Sequence, residues 1–569
     1  MPARRAWFEA LAALVVYWLL ALALFGRVWT HPAQAWIGDA KDPKLFLWYL
    51  GWFPHQLSAG QNPLVTDFVA YPQGTNLMWN TSVPFPAVLI WPVTAVWGPV
   101  VAYNLLVTSG IAFSAWLGFL AARRFLGSWG LAFFAGLVYG FSPGMLAQAT
   151  RHLHVVIELF PPLMLILADE VLVRRRRSPV LLGALAGLAT ALQLLTGEEV
   201  LAVTALVALV GVGLLALLNP GAVAARIGFA ARAGALALVV FTVLAGYPLW
   251  VQFFGHQRVF GHLQPQDVYV SDLLAFVVPS QFSLVQSPTT AWMVWHFTGN
   301  PSENNAYVGL PLLALFAAGL ALNWRRPGIR WAGLLTIAIA ILSLGPHLHV
   351  SGFVSPLPLP WLAVEQLPLM DSALPARLML PAFLGVGIVT ASVWDPLRRA
   401  RPAWRGAAGL AAALGLVFLL PSLPFPEARS DLPAFFQPGG DASRLLPGQV
   451  VLVAPFSSHN STEAMYWQAA AGYRFRMPEG DVFTPGPYLG PHPTDLQSSL
   501  DTLLMGGQVT VTDSERQNAI RDLNRSHAEV VVVGPNPGRD AMVRYFTEVL
   551  GYRPEISGGV VVWWVIPCC

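Results

Sequence analysis

Apolar segments of 18 or more residues recur along this chain from residue 7 to residue 421. In lipid, a segment of this kind satisfies its own backbone hydrogen bonds only as a membrane-spanning helix. Of the 569 residues, 55% are hydrophobic and 11% are charged, whereas a soluble domain carries about 25% charged residues. The sequence therefore predicts a polytopic α-helical membrane protein, and its dispersed basic residues give no support for nucleic-acid binding.

The apolar segments predict about eleven transmembrane helices. The first follows Arg4 and Arg5, and it is too long for a cleaved signal peptide and has no small-residue cleavage site, so we interpret it as a retained signal anchor. The apolar piece 84–98 is interrupted by prolines and is predicted to be a re-entrant or interfacial helix. The eleven predicted spans are 7–28, 100–122, 129–147, 155–173, 179–196, 199–218, 233–252, 307–323, 331–346, 376–394 and 406–421.

Basic residues fall in alternate connections between these spans, as in the run Arg174–Arg177. Because such residues are enriched on the cytoplasmic side, the N-terminus is predicted to be cytoplasmic. The long connections 29–99, 253–306 and 347–375 are then extracytoplasmic and carry most of the acids. The first of them is rich in aromatic residues, which predicts interfacial helices. An arginine-rich, lysine-poor composition is typical of a GC-rich bacterial genome, which predicts an integral protein of the bacterial plasma membrane.

The composition changes after residue 424 to that of a soluble domain. Valine-rich runs at 450–453, 530–533 and 560–565 predict strands, and the polar stretches 512–527 and 538–550 predict helices. We therefore predict a transmembrane domain over 1–424, which includes the outer loop 29–99, and an extracytoplasmic α/β domain over 425–569 with a partly parallel sheet. No glycine-rich phosphate loop follows these strands.

The segment Gly38–Pro43 is the strongest candidate for chemistry, because it places two carboxylates just after the first span. Asp39 and Asp42 are candidate catalytic residues, since paired acids near the interface serve as a general base or hold a divalent cation. The alternative is an ordinary solvated turn. A cation, Mg²⁺ or Mn²⁺, is left open as a cofactor, and its candidate ligands are Asp39, Asp42, His347 and His349.

Other outer residues are candidates for binding a substrate. An acid beside a long apolar run is costly unless paired or functional, which singles out Glu198 and Glu199. Arg377 opposes the positive-inside trend, and its guanidinium matches a phosphate or, alternatively, forms a salt bridge with Asp371 or Glu365. The further candidates are His152, His154, Lys44 and Arg258, although loop histidines are more often simply exposed.

Several segments together resemble the GT-C superfamily of membrane glycosyltransferases, and more closely a bacterial group often called YfhO-like or GT-C-like. They are Gly38 through Trp52, Tyr71–Leu77, Gly98–Asn104, Arg151–His154, Thr196–Glu199, Asn305–Gly309 and Leu374–Arg377. The resemblance covers about residues 5–425. It implies transfer of a sugar from a polyprenyl-phosphate donor in the membrane to a glycan, lipid or protein acceptor at the outer face.

In such enzymes the acid of the first loop acts as general base or metal ligand, a role that the resemblance implies for Asp39. Asp42 departs from the usual spacing because two residues intervene between the acids, which leaves a metal in question. Two other functions stay open. A non-catalytic protein that binds or assembles envelope glycans would keep the scaffold without activity. A lipid-linked sugar flippase would need mid-span charges and related halves, which the sequence lacks.

Overall fold

A computed structural model describes residues 2–259, 261, 263–304, 306–367, 370–398, 400–429, 431–456, 461–486, 488–489 and 492–565. Most of the chain is helical. The helices of the first half are α1 Pro2–Leu24, α2 Gly26–Thr30, α3 Asp42–Ser58, α4 Pro84–Leu89, α5 Trp91–Ala122, α6 Trp129–Gly140, α7 Pro143–Gln148, α8 Leu153–Val156, α9 Phe160–Asp169, α10 Pro179–Leu194, α11 Glu198–Leu218, α12 Pro220–Ala224 and α13 Ile227–Phe254.

The remaining helices are α14 Pro288–Trp295, α15 Leu310–Leu322, α16 Pro327–Ser343, α17 Trp361–Val364, α18 Met379–Ser392, α19 Trp394–Leu397, α20 Pro402–Leu419, α21 Glu463–Ala470, α22 Asp495–Leu504, α23 Asp513–Arg525 and α24 Arg539–Leu550. The strands are β1 Trp36–Ile37, β2 Val65–Thr66, β3 Thr75–Asn76, β4 His347–Val350, β5 Phe353–Pro358, β6 Glu427–Ala428, β7 Val451–Ala454, β8 Phe483–Thr484, β9 Tyr488–Leu489, β10 Val530–Val533, β11 Glu555–Ser557 and β12 Val560–Trp564.

Seven helical segments of the described chain are long and apolar enough to cross a membrane. They coincide with seven of the predicted spans and are Arg4–Leu24, Trp91–Ala122, Trp129–Gln148, Glu198–Leu218, Ile227–Phe254, Pro375–Leu397 and Pro402–Leu419. Three more predicted spans fall on the shorter apolar helices α10, α15 and α16, while 155–173 divides among α8, α9 and a π-helical turn over Glu170–Arg174. The protein is an integral membrane protein, and the number of eleven spans stays a prediction.

The predicted interfacial segment 84–98 comprises α4 and the part of α5 that precedes a kink at Gly98. Its position relative to the membrane stays a prediction. Gly98 interrupts α5 with a φ of 84°, a conformation that glycine adopts without a steric penalty. The following Pro99 then begins the long apolar part of the helix, which is how a proline is accommodated at the start of a helical segment.

The chain divides into two compact units. The first unit consists of residues 1–31, 104–246 and 264–427. Helix α18 lies at its centre and packs against α6, α15 and α16. Glycines allow close backbone approach there, since a Cβ on Gly319 would lie 2.2 Å from the carbonyl oxygen of Val389, and one on Gly387 would lie 2.8 Å from Ala135. Small residues of this kind let helices associate closely in lipid, where burial of apolar side chains gives little driving force.

The second unit consists of residues 32–103, 247–263 and 428–569. Its C-terminal part contains a mixed sheet with the strand order β11–β12–β10–β7, in which β10 is antiparallel to β12 and parallel to β7. Helices α22, α23 and α24 cover a core that includes Leu452, Val531, Phe546 and Trp563. The predicted strands, helices and partly parallel sheet are therefore confirmed.

Candidate functional site

The turn that contains Asp39 is fixed by hydrogen bonds. Gly38 has a φ of 110°, so the backbone turns there at low cost. The Oδ1 atom of Asp39 accepts the backbone N–H of Lys41 at 2.9 Å, and its carbonyl oxygen accepts the indole N–H of Trp36 at 2.7 Å. Helix α3 begins at Asp42, whose negative charge is favourable in a first helical turn. Both acids are half-buried, so the structure presents them at a partly enclosed turn and not in open solvent.

The loop after the first span packs tightly against the C-terminal part of the second unit. The indole N–H of Trp48 donates to the side chain of Gln468 at 2.7 Å, and the hydroxyl of Tyr473 donates to the carbonyl oxygen of Trp48 at 2.6 Å. Lys44 is 2% exposed and forms an ion pair with Glu463. The charge of Lys44 is therefore already balanced by a carboxylate from helix α21.

Arg377 is the centre of a buried ion cluster in the first unit. Its side chain is 9% exposed and pairs with Glu199 and, at 2.6 Å, with Glu303. Glu199 also accepts the backbone N–H of Leu374 at 3.0 Å. The sequence interpretation named Asp371 and Glu365 as the alternative ion-pair partners, whereas the partners that the structure describes come from α11 and from the segment before α15. One guanidinium between two carboxylates gives this trio a formal charge of −1.

The histidines of the 151–154 segment lie beside this ion cluster. The Nδ1 atom of His152 lies within hydrogen-bonding distance of Gln148 and 3.6 Å from Glu303. His154 is 3% exposed. Burial, followed by the positive charge of Arg377, lowers the pKa of both imidazoles well below the ordinary histidine value. Both side chains are therefore neutral at neutral pH and do not add positive charge to the cluster.

His347 and His349 share one carboxylate. Both lie on strand β4, and their Nδ1 and Nε2 atoms lie 3.0 Å and 3.1 Å from the two oxygens of Asp267. The Nδ1 atom of His349 is also 3.1 Å from the hydroxyl of Thr298. This pattern ties the β4–β5 hairpin to the preceding segment. Of the two remaining candidates, Glu198 is half-buried at the start of α11, and Arg258 is exposed and donates to the carbonyl oxygen of Phe253 at 3.2 Å.

Comparison with solved structures gives the fold. The arabinofuranosyltransferase AftD from mycobacteria matches over 94% of this chain with 16% identity and a TM-score of 0.54, and a mutant form of AftD matches with 15% identity and a TM-score of 0.53. The chain has a GT-C-like fold. It spans 35% of the length of AftD. An undecaprenyl-phosphate-bound ArnT from Cupriavidus metallidurans also matches, over 97% of this chain and 96% of its own, with 11% identity and a TM-score of 0.46.

No family model and no curated protein matches the chain. The GT-C-like fold that the sequence resemblance predicted is therefore confirmed by structure alone, and the role of each candidate residue stays a prediction.

The side chains of this GT-C-like protein do not form a complete metal site in the described part of the chain. No group of three or more His, Cys, Asp or Glu residues is placed there to hold an ion. His347 and His349 both lie within hydrogen-bonding distance of Asp267, and one oxygen of Asp39 accepts a backbone N–H. The residues present do not fit a Mg²⁺ or Mn²⁺ ion, which prefers octahedral oxygen ligands, and we derive no step through one.

Three site residues were missed at the level of sequence. In the sequence, Glu303 and Asp267 are two acids of the long connection 253–306 that nothing singles out, and Gln148 has no signal at all. Each lies far along the chain from its partner, since 74 residues separate Glu303 from Arg377 and 155 residues separate Gln148 from Glu303. Only a general signal pointed to the acids. A buried arginine at the end of a span requires carboxylate partners, and the connections that are predicted to be outer contain few carboxylates.

The buried side chain of Glu479 makes the stability of the folded protein depend on pH. It is 1% exposed, and burial raises its pKa to about 8, while Oε1 accepts the backbone N–H of Val453 at 3.1 Å. The unfolded chain ionises near the ordinary glutamate value, so stability decreases as pH rises toward the folded pKa, by about 1.4 kcal/mol per pH unit. We expect Glu479→Gln, which keeps the acceptor for Val453, to raise the unfolding temperature at about pH 7.5 and to leave it nearly unchanged at about pH 5.

The control for this comparison is Glu548→Gln, at an exposed position on α24. It is expected to follow the wild-type unfolding curve at both pH values. Equal unfolding temperatures of wild type and Glu479→Gln at the higher pH would mean that Glu479 is not held in its protonated form.

Proposed function

We propose that this protein is a glycosyltransferase that moves a sugar from a polyprenyl-phosphate donor to an acceptor hydroxyl at the outer face of the membrane. The observation that carries the proposal is a half-buried carboxylate, Asp39, fixed by hydrogen bonds just after the first span of a GT-C-like fold. AftD, which has a similar fold, is an arabinofuranosyltransferase. The proposal requires only that the acceptor, whether a glycan, a lipid or a protein, carries a nucleophilic hydroxyl.

In the proposed reaction the Asp39 carboxylate takes the proton of the acceptor hydroxyl. The acceptor oxygen forms a bond to the anomeric carbon of the sugar while the bond from that carbon to the phosphate oxygen breaks. The polyprenyl phosphate leaves with the bonding electrons as an anion. One base suffices for this displacement, because the leaving group is acidic and needs no proton.

The location on the outer face is supported by contacts within the second unit. The bonds from Trp48 to Gln468 and from Tyr473 to Trp48 require the first loop and the C-terminal segment to lie on the same side of the membrane. The excess of arginine in the alternate connections favours the opposite side as cytoplasmic. We therefore propose that the N-terminus is cytoplasmic and that the loop 29–99 and residues 425–569 are extracytoplasmic.

The proposal is tested by transfer in a reconstituted system. Full-length protein in liposomes is incubated with radiolabelled undecaprenyl-phosphate and decaprenyl-phosphate monosaccharides and with synthetic oligosaccharide acceptors. Transfer of label to at least one acceptor, with release of polyprenyl phosphate, is the expected result. Absence of transfer with every donor, together with normal binding of a glycan panel, would favour a non-catalytic glycan-binding protein instead.

A further inference from the structure

Asp481 is a buried acid that the proposed reaction leaves unexplained. It lies between α21 and β8, and its side chain is 5% exposed. Its Oδ1 atom has no hydrogen-bond partner among the described residues. Burying a carboxylate without satisfying its oxygens is costly, and such groups are concentrated at functional sites. The position of Asp481 therefore calls for a ligand or a partner.

The segment that carries Asp481 is attached to the first outer loop on both sides. The hydroxyl of Thr462 donates to the carbonyl oxygen of Lys41 at 2.8 Å. Beyond Asp481, the hydroxyl of Thr75 donates to the carbonyl oxygen of Phe483 at 2.6 Å. These bonds lie within the second unit and hold the C-terminal segment against the loop that contains the acidic turn.

Charged groups of that loop reach Asp481. Burial raises the pKa of Asp481 to about 6, with the charge of Lys41 opposing the rise and that of Asp42 adding to it. The negative charge of Asp481 in turn adds to the effect of burial in raising the pKa of the Tyr49 hydroxyl. The charge of Asp481 therefore interacts with the charged groups of the turn that begins helix α3.

The charges of the same turn act on a second buried polar group, in helix α5. Tyr103 is fully buried, and its hydroxyl has no hydrogen-bond partner among the described residues. The charges of both Asp39 and Asp42 act on this hydroxyl. A buried phenol usually finds a partner. One carboxylate oxygen of Asp481 and the hydroxyl of Tyr103 therefore lack a hydrogen-bond partner among the described residues, and a molecule that both donates and accepts hydrogen bonds would satisfy them.

We propose that Asp481 is a substrate-binding residue, whose carboxylate accepts a hydrogen bond from a hydroxyl of the acceptor and holds it beside Asp39. This inference rests on the proposed function. A polyhydroxylated acceptor such as a sugar fits the unsatisfied pair, because its hydroxyls donate to Asp481 and accept from Tyr103. A phosphorylated acceptor fits less well, since its negative charge would meet the acids of the turn while Lys44 is paired with Glu463.

The test separates binding of the acceptor from the chemical step. Wild type and Asp481→Asn are assayed in liposomes with a donor that the wild type uses, at varied concentrations of an oligosaccharide acceptor. Because Asn keeps an acceptor oxygen but lacks the charge that strengthens the hydrogen bond, KM for the acceptor is expected to rise by about 10-fold, while kcat changes by less than about 3-fold. Asp540→Asn, at an exposed position of α24, is the matched control and is expected to retain the wild-type constants.

Two results would overturn the inference. One is a KM of Asp481→Asn equal to that of wild type, and the other is a lower unfolding temperature of the variant at about pH 7.5, which would make Asp481 a structural residue. A higher unfolding temperature is expected, because the variant no longer buries a charge.

Failure of the proposed function is recognised separately, as absence of transfer by the wild type itself. Thermal shifts with methyl mannoside and methyl arabinofuranoside then measure binding of a sugar hydroxyl without turnover. Stabilisation of wild type by such a glycoside, and its loss in Asp481→Asn, would support a sugar-binding role for Asp481. Equal shifts in both proteins would refute it.

Discussion

Asp39→Asn is expected to lower kcat by about 100- to 10,000-fold, the usual contribution of a general base. The substitution keeps the shape of the side chain and the acceptor atom for the Lys41 N–H, so the turn is expected to remain intact. It removes the negative charge that takes the proton of the acceptor hydroxyl. The measurement is single-turnover transfer in liposomes with a donor and an acceptor that the wild type uses.

The matched control for this experiment is Asp431→Asn, an exposed acid of the second unit. It is expected to transfer sugar at the wild-type rate. Comparable turnover of Asp39→Asn and wild type would remove Asp39 from the proton-transfer step. Asp42→Asn then becomes the informative variant, because Asp42 is the other acid of the turn.

Arg377→Met is expected to destabilise the protein by about 3–5 kcal/mol, because it leaves Glu199 and Glu303 without their cation in a buried site. This loss is a large part of a typical folding free energy of about 5–15 kcal/mol. Arg377 lies in the turn before α18 and joins it to the first turn of α11 and to the segment before α15. The unfolding temperature and the yield of monodisperse protein in detergent measure the effect.

A triple variant identifies the cause. Arg377→Met combined with Glu199→Gln and Glu303→Gln removes all three charges and is expected to recover most of the stability, since the unpaired carboxylates are the main cost. Arg177→Met, at an exposed arginine, is the control and is expected to behave as wild type. An Arg377→Met protein as stable as this control would contradict the ion-cluster interpretation. A stable triple variant without transfer activity would support a role of this ion cluster in binding substrate.

The parts of the fold that the sequence predicted are those with a local signal. The valine runs at β7, β10 and β12 and the long apolar helices are visible in short windows of residues. Shorter helices such as α9 and α10 were harder to interpret, because protein neighbours, and not length alone, decide how a short apolar helix is accommodated.

The site could be predicted only in part, for a related reason. Asp39 is recognisable because it comes soon after the first span, and Glu199 is recognisable because it begins a span. The pairing of Lys44 with Glu463 joins residues 419 positions apart and has no local signature. The burial of Glu479 and Asp481 is equally invisible, because both occupy an irregular segment without periodicity.

The contacts between helix α3 and the 463–477 segment bear on biosynthesis. Trp48 leaves the ribosome about 420 residues before Gln468, which accepts its indole N–H. On the proposed topology, the first loop crosses the membrane before the segment that packs against it has been synthesised. Until then, we expect the aromatic side chains of this loop to be bound by a chaperone or to lie in the lipid headgroup region. A gene truncated near codon 425 would leave these side chains uncovered.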